Sequence, residues 1–122
     1  MGDRSNIYVT GDSFGVYLYG HYMGPEYISI LASALKRGVS RWDDPSYLTR
    51  IIFCEMIKDD VDGTTGFGIS SKLEDNEYPI LMVDCDTQTV SLKTDKGATL
   101  LEAPIAEFME KPSVFARYLK CK

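Results

Sequence analysis

The sequence predicts an α+β fold: a small antiparallel sheet of about four strands in two hairpins, two main helices packed on one face, and short C-terminal helices. Three observations predict it. Strand-like runs rich in β-branched, aromatic and aliphatic residues stand at 7–9, 16–19, 78–84 and 89–93. Between the second and third of these, two stretches carry apolar residues at helical spacing. Proline opens each of those stretches, and it opens the two short segments near the C-terminus as well.

Ile7–Val9 reads as the first strand. The turn-rich Thr10-Gly11-Asp12-Ser13-Phe14-Gly15 joins it to Val16-Tyr17-Leu18-Tyr19 as a hairpin. The Gly-Asp-Ser triplet is read as a turn and not as an esterase nucleophile, because a serine needs a base and the chain holds a single histidine, His21. Gly20 breaks the second strand. Gly24-Pro25 begins a helix whose apolar face is Ile28, Leu31, Ala32 and Leu35, and Lys36-Arg37-Gly38 ends it. Asp44 caps a second helix, with Pro45 behind it. That helix runs to about Lys58 and buries Leu48, Ile51, Ile52 and Met56.

Asp59–Thr65 is a polar connection. Its Asp-Asp-Val-Asp-Gly lacks the closing glutamate of a calcium loop, and no metal is expected. Tyr78–Asp84 is apolar on consecutive positions and reads as a central strand, with Thr89–Lys93 as its hairpin partner. Pro104–Met109 and Pro112–Leu119 read as short helices anchored by Phe108, Phe115, Tyr118 and Leu119.

The 122 residues make one domain, 1–122, with no stretch near the roughly 18 apolar residues of a membrane helix. A net charge of −5 argues against general binding to nucleic-acid backbones. Cys54, Cys85 and Cys121 are widely spaced and odd in number, which reads as reduced thiols rather than a disulfide framework or a zinc site.

The candidate site is built from three segments. The turn Gly20-His21-Tyr22-Met23-Gly24 lies between a strand and a helix start, where backbone N–H groups and the helix dipole favour an anion. Trp42 reads first as a lid over the core where the two helices meet; in the functional reading Trp42 and Tyr47 offer aromatic faces, with Arg41 and Arg50 as cations. Gly66, Phe67, Gly68, Ser70 and Ser71 permit close approach of the backbone, to another strand or to a phosphate or ribose. Together they suit a small anionic or nucleotide-like ligand. No cofactor is expected.

Segments 16–21 (VYLYGH), 41–45 (RWDDP), 65–70 (TGFGIS) and 75–80 (DNEYPI) resemble a family of small proteins encoded by tailed phages and prophages. The resemblance spans about residues 7 to 92, leaves the last thirty uncovered, and carries no catalytic residue with it. It implies the host cytoplasm as setting and an accessory, counter-defence-like role.

Three functions follow as expectations. The first is a non-catalytic protein that sequesters a small anionic or nucleotide-like signal. The second is a nucleotide hydrolase or lyase using His21 as acid or base, held by Glu26, Asp43 or Asp44. The third is an acidic inhibitor of a host enzyme, working through loops 59–62 and 74–77. A homo-oligomer is expected through the strand face bearing Tyr17 and Tyr19.

Overall fold

A computed structural model describes residues 3–120. Six strands form one sheet: β1 (Ser5–Gly11), β2 (Phe14–Gly20), β3 (Phe67–Ser70), β4 (Ile80–Asp84), β5 (Thr89–Lys93) and β6 (Thr99–Pro104). Their order is β3-β2-β1-β4-β5-β6. Four helices accompany them: α1 (Tyr27–Arg37), α2 (Pro45–Ile57), α3 (Ile105–Glu110) and α4 (Pro112–Lys120).

The α+β class and both hairpins agree with the sequence reading, but the sheet corrects it. There are six strands and not about four, and the sheet is mixed, because β1 and β4 run parallel. The physical reasons differ by strand. β3 is four residues long and includes a glycine, so its own propensity is weak. β6 reads Thr-Leu-Leu-Glu-Ala-Pro, without alternation, because its register against β5 slips between Leu92 and Lys93. The parallel pairing joins residues more than seventy apart in the chain, and no local pattern announces it.

The β1–β2 turn is Asp12-Ser13, both at positive φ (51° and 65°), as a tight primed hairpin requires. The Asp12 N–H donates to the Asp86 carboxylate at 3.0 Å, which ties this tip to the β4–β5 turn. The Gly-Asp-Ser triplet is thus a turn.

Ile7, Val9, Leu18, Leu81, Val83, Val90 and Leu92 line one sheet face and are fully buried beneath Leu31, Leu35, Leu48 and Ile52 of α1 and α2 and Phe108 and Phe115 of α3 and α4. Asp44 caps α2 by accepting from the Tyr47 N–H, with Pro45 in the first turn. On the opposite face Tyr8 packs on Tyr17, ring centroids 4.4 Å apart, with Met82 beside Tyr8 in register. Segment 71–79 crosses one end of the sheet. It is held by Asn6 donating to the Asp75 carbonyl at 2.8 Å and by Glu77 N–H donating to the Arg4 carbonyl at 2.9 Å. No helix is long and apolar enough to cross a membrane among the described residues.

Candidate functional site

The Gly20–Gly24 turn and the double-glycine segment meet. Gly20 pairs with Phe67, Tyr19 with Gly68 and Tyr17 with Ser70, and the His21 N–H donates to the Gly66 carbonyl at 2.8 Å. The close approach that Gly66–Ser71 permits is therefore to a strand. Gly66 takes φ +98°, a conformation that side chains disfavour.

Part of the donor set of the turn is used inside the protein. Gly24 N–H donates to the Asp3 carbonyl at 2.8 Å and Glu26 N–H to the Met23 carbonyl at 3.1 Å. Gly24 sits at φ +52° with the Asp3 carboxylate against its Cα, in the space a side chain there would need. That carboxylate also accepts from the Tyr78 hydroxyl at 2.7 Å. The chain's own Asp3 carboxylate thus stands next to this helix start.

Trp42, Arg41, Tyr47 and Arg50 lie toward the other end of the helix pair. The 11 residues of α1 separate the two groups, a rise of about 16 Å. Trp42 Nε1–H donates to the Leu35 carbonyl at 2.9 Å and its ring packs on the core, so it closes the corner between α1 and α2. The Arg41 guanidinium stands 4.6 Å from the centre of the Tyr47 ring and 3.8 Å from the Asp44 carboxylate. Arg50 is exposed and makes no ion pair among the described residues.

His21 is half-buried, with Nδ1 2.6 Å from the Tyr19 hydroxyl and its ring edge-on to Tyr22 at 4.6 Å. Its recorded polar partner is a phenol; none of Glu26, Asp43 or Asp44 is hydrogen-bonded to it. Of the two acidic loops, the second is partly neutralised: Arg4 lies 3.6 Å from the Glu77 carboxylate and 4.0 Å from that of Asp75.

A cavity of about 470 Å³ opens between the start of α1, the end of α2 and the approach to β3. Tyr22, Gly66 and Phe67 of the predicted site line it. His21, Trp42, Arg41, Tyr47, Arg50, Gly20, Gly24, Gly68, Ser70 and Ser71 do not. Its remaining wall comes from residues outside the predicted set. Glu26 at the N-cap of α1 and Ser29 and Ser33 within it line one side, and Glu55 of α2 with Lys58 and Asp59 just beyond its end line the other. A sequence signal for the first group exists: Glu26, Ser29, Ile30 and Ser33 recur at i, i+3, i+4, i+7, a mainly polar stripe on an otherwise apolar helix.

Glu55 is the buried charge of this wall, 8% exposed. Arg37 pairs with one of its oxygens, and Lys58 Nζ donates to the other at 2.9 Å. The Lys58 bond, with the Arg37 bond behind it, holds the Glu55 carboxyl below the ordinary glutamate range against the opposing effect of burial. With Lys58 committed to Glu55, the free charges facing the cavity are the carboxylates of Glu26, Asp59 and Asp60. The lining accepts hydrogen bonds more readily than it donates them.

No protein-family model, no curated protein and no solved structure matches this chain. Among the described residues no group of three or more His, Cys, Asp or Glu side chains is arranged to hold a metal ion.

Proposed function

We propose that the protein binds a small, flat, donor-rich ligand of nucleoside or nucleotide type in the cavity between α1, α2 and β3, without changing it chemically. The observation that carries the reading is the cavity itself. At about 470 Å³ it falls in the size range of small-molecule sites. Phe67 and the largely exposed Tyr22 supply ring faces for stacking, and the hydroxyls of Ser29, Ser33 and Thr65 supply polar contacts. Glu26, Asp59 and Asp60 suit the exocyclic amines and ribose hydroxyls of a nucleoside better than they suit a phosphate. The charged end of a nucleotide would therefore point outward, to solvent.

Binding without turnover is favoured over catalysis because His21 does not line the cavity, and its recorded polar contact is with Tyr19. A role in sequestering a host signal, as a phage accessory protein in the host cytoplasm, rests on the resemblance in segments 16–21, 41–45, 65–70 and 75–80.

Calorimetric titration with nucleosides, nucleoside monophosphates and cyclic dinucleotides tests the reading. Saturable binding is expected to at least one of them, weakened about tenfold or more by Phe67→Ala, with the ligand recovered intact after denaturation. Absence of heat with every probe, or recovery of a cleaved product, overturns it.

A further inference from the structure

We propose that the free edge of β3 is a dimer interface, at which a second copy of this chain continues the sheet across a twofold axis at Gly68. β3 is the outermost strand on its side of the sheet. Its pairing with β2 settles which backbone groups point outward. His21 N–H donates to the Gly66 carbonyl, so residues 66, 68 and 70 turn their hydrogen-bonding groups toward β2. By alternation the N–H and C=O groups of Phe67 and Ile69 point away from the sheet. An antiparallel copy centred on Gly68 places Phe67 opposite Ile69 of the partner and Ile69 opposite Phe67 of the partner, and all four outward donors find acceptors.

The side chains agree with that register. Ile69 is 59% exposed, one of the most exposed large apolar residues in the chain. Phe67 and Ile69 occupy the helix-bearing face, as their partners Gly20 and Leu18 do. The register therefore forms two aromatic–aliphatic cross-strand pairs from groups now partly in water. Phe53 and Ile57 of α2 stand beside Phe67, with Val61 66% exposed next to them.

Charge is self-complementary about the same axis. Asp59, Asp60 and Asp62 precede β3, and Lys72 follows it. In an antiparallel pair the Lys72 end of one β3 runs toward the acidic end of the other, and the twofold repeats that juxtaposition. β3 is short, but it carries no proline, no charged residue and no bulge to blunt its edge. The far edge, β6, carries Glu102, Pro104 and a register shift against β5.

Gly68 makes the test direct. A Cβ there meets nothing within 4 Å in the single chain, while residues directly opposed in the non-hydrogen-bonded position of an antiparallel pair lie at disulfide distance. Sedimentation velocity is measured on the wild type, Ile69→Lys and Tyr17→Lys, and Gly68→Cys is oxidised mildly in a Cys54→Ser, Cys121→Ser background. The wild type and Tyr17→Lys are expected to sediment as dimers and Ile69→Lys as a folded monomer, and Gly68→Cys to become a covalent dimer. A monomeric wild type, a dimer that Tyr17→Lys but not Ile69→Lys dissociates, or failure of Gly68→Cys to cross-link overturns the proposal. If Ile69→Lys does not fold, the Gly68→Cys cross-link decides alone. None of these readings depends on a bound ligand.

Discussion

Asp3 occupies the approach to the first helix: its carbonyl accepts the Gly24 N–H at 2.8 Å, and its carboxylate lies against the Gly24 Cα. An acidic side chain of the protein itself therefore stands beside the turn where a bound anion was expected. The strand–turn–helix junction is thereby tied together from within the chain, and the proposed ligand is assigned to the neighbouring cavity. Gly24→Ala tests the joint. The new methyl would overlap the Asp3 carboxylate, and φ +52° is unfavourable for alanine. A loss of about 1–3 kcal/mol is expected in urea unfolding.

Glu55 carries a pH signature. Its carboxyl is held below the ordinary range by the Lys58 and Arg37 bonds, so the folded state keeps it ionised where the unfolded chain begins to protonate it. Its contribution is full above the unfolded glutamate range and is lost as pH falls through the depressed folded value. Glu55→Gln is expected to cost about 1–2 kcal/mol near neutral pH, discounted because Arg37 and Lys58 are more than half exposed. The gap to the wild type should close in acid, as measured by unfolding at a series of pH values.

The thiols separate by burial. Cys85 is 2% exposed and its pKa is pushed up to about 12, first by burial and then by the Asp84 carboxylate. Cys54 is exposed. In a Cys121→Ser background, which removes the one cysteine outside the described residues, an aromatic disulfide reagent should modify one thiol promptly. The second should react only after denaturant is added. Prompt reaction at Cys85 would contradict its placement.

Trp42 closes the α1–α2 corner through its bond to the Leu35 carbonyl. Trp42→Phe keeps the ring packing and loses that donor, leaving a carbonyl short of a partner. A stability loss of about 1 kcal/mol is expected, with ligand affinity unchanged.

Much of this molecule is legible from local pattern. Helices α2 and α4 open on proline, and the Asp44 cap and both hairpins stand where propensity and turn chemistry place them, while Pro25 lies in a 3-10 turn ahead of α1 and Pro104 ends β6. What escapes is pairing at a distance. β3 has too little intrinsic strand character to announce itself, and the parallel β1–β4 contact depends on the whole connection between them. The site divides the same way. Adjacency of the Gly20–Gly24 turn to Gly66 follows once β3 is a strand, but Trp42 and Arg41 belong to the far end of a helix whose length separates them from the turn. The acids of the cavity wall come from the start of α1 and from the last turn of α2 and the loop after it, and only the packing of the two helices brings Glu26 and Glu55 to one cavity.

The account turns on where a ligand sits. A titration followed by backbone and indole N–H shifts in a two-dimensional NMR spectrum, with the tightest of the nucleosides or nucleotides, locates it directly. The amides of Ser29, Ser33, Thr65 and Phe67 are expected to move together while the Trp42 indole N–H stays still. Movement of the indole with the cavity amides unchanged would contradict the account and place the ligand at the Arg41–Trp42 corner.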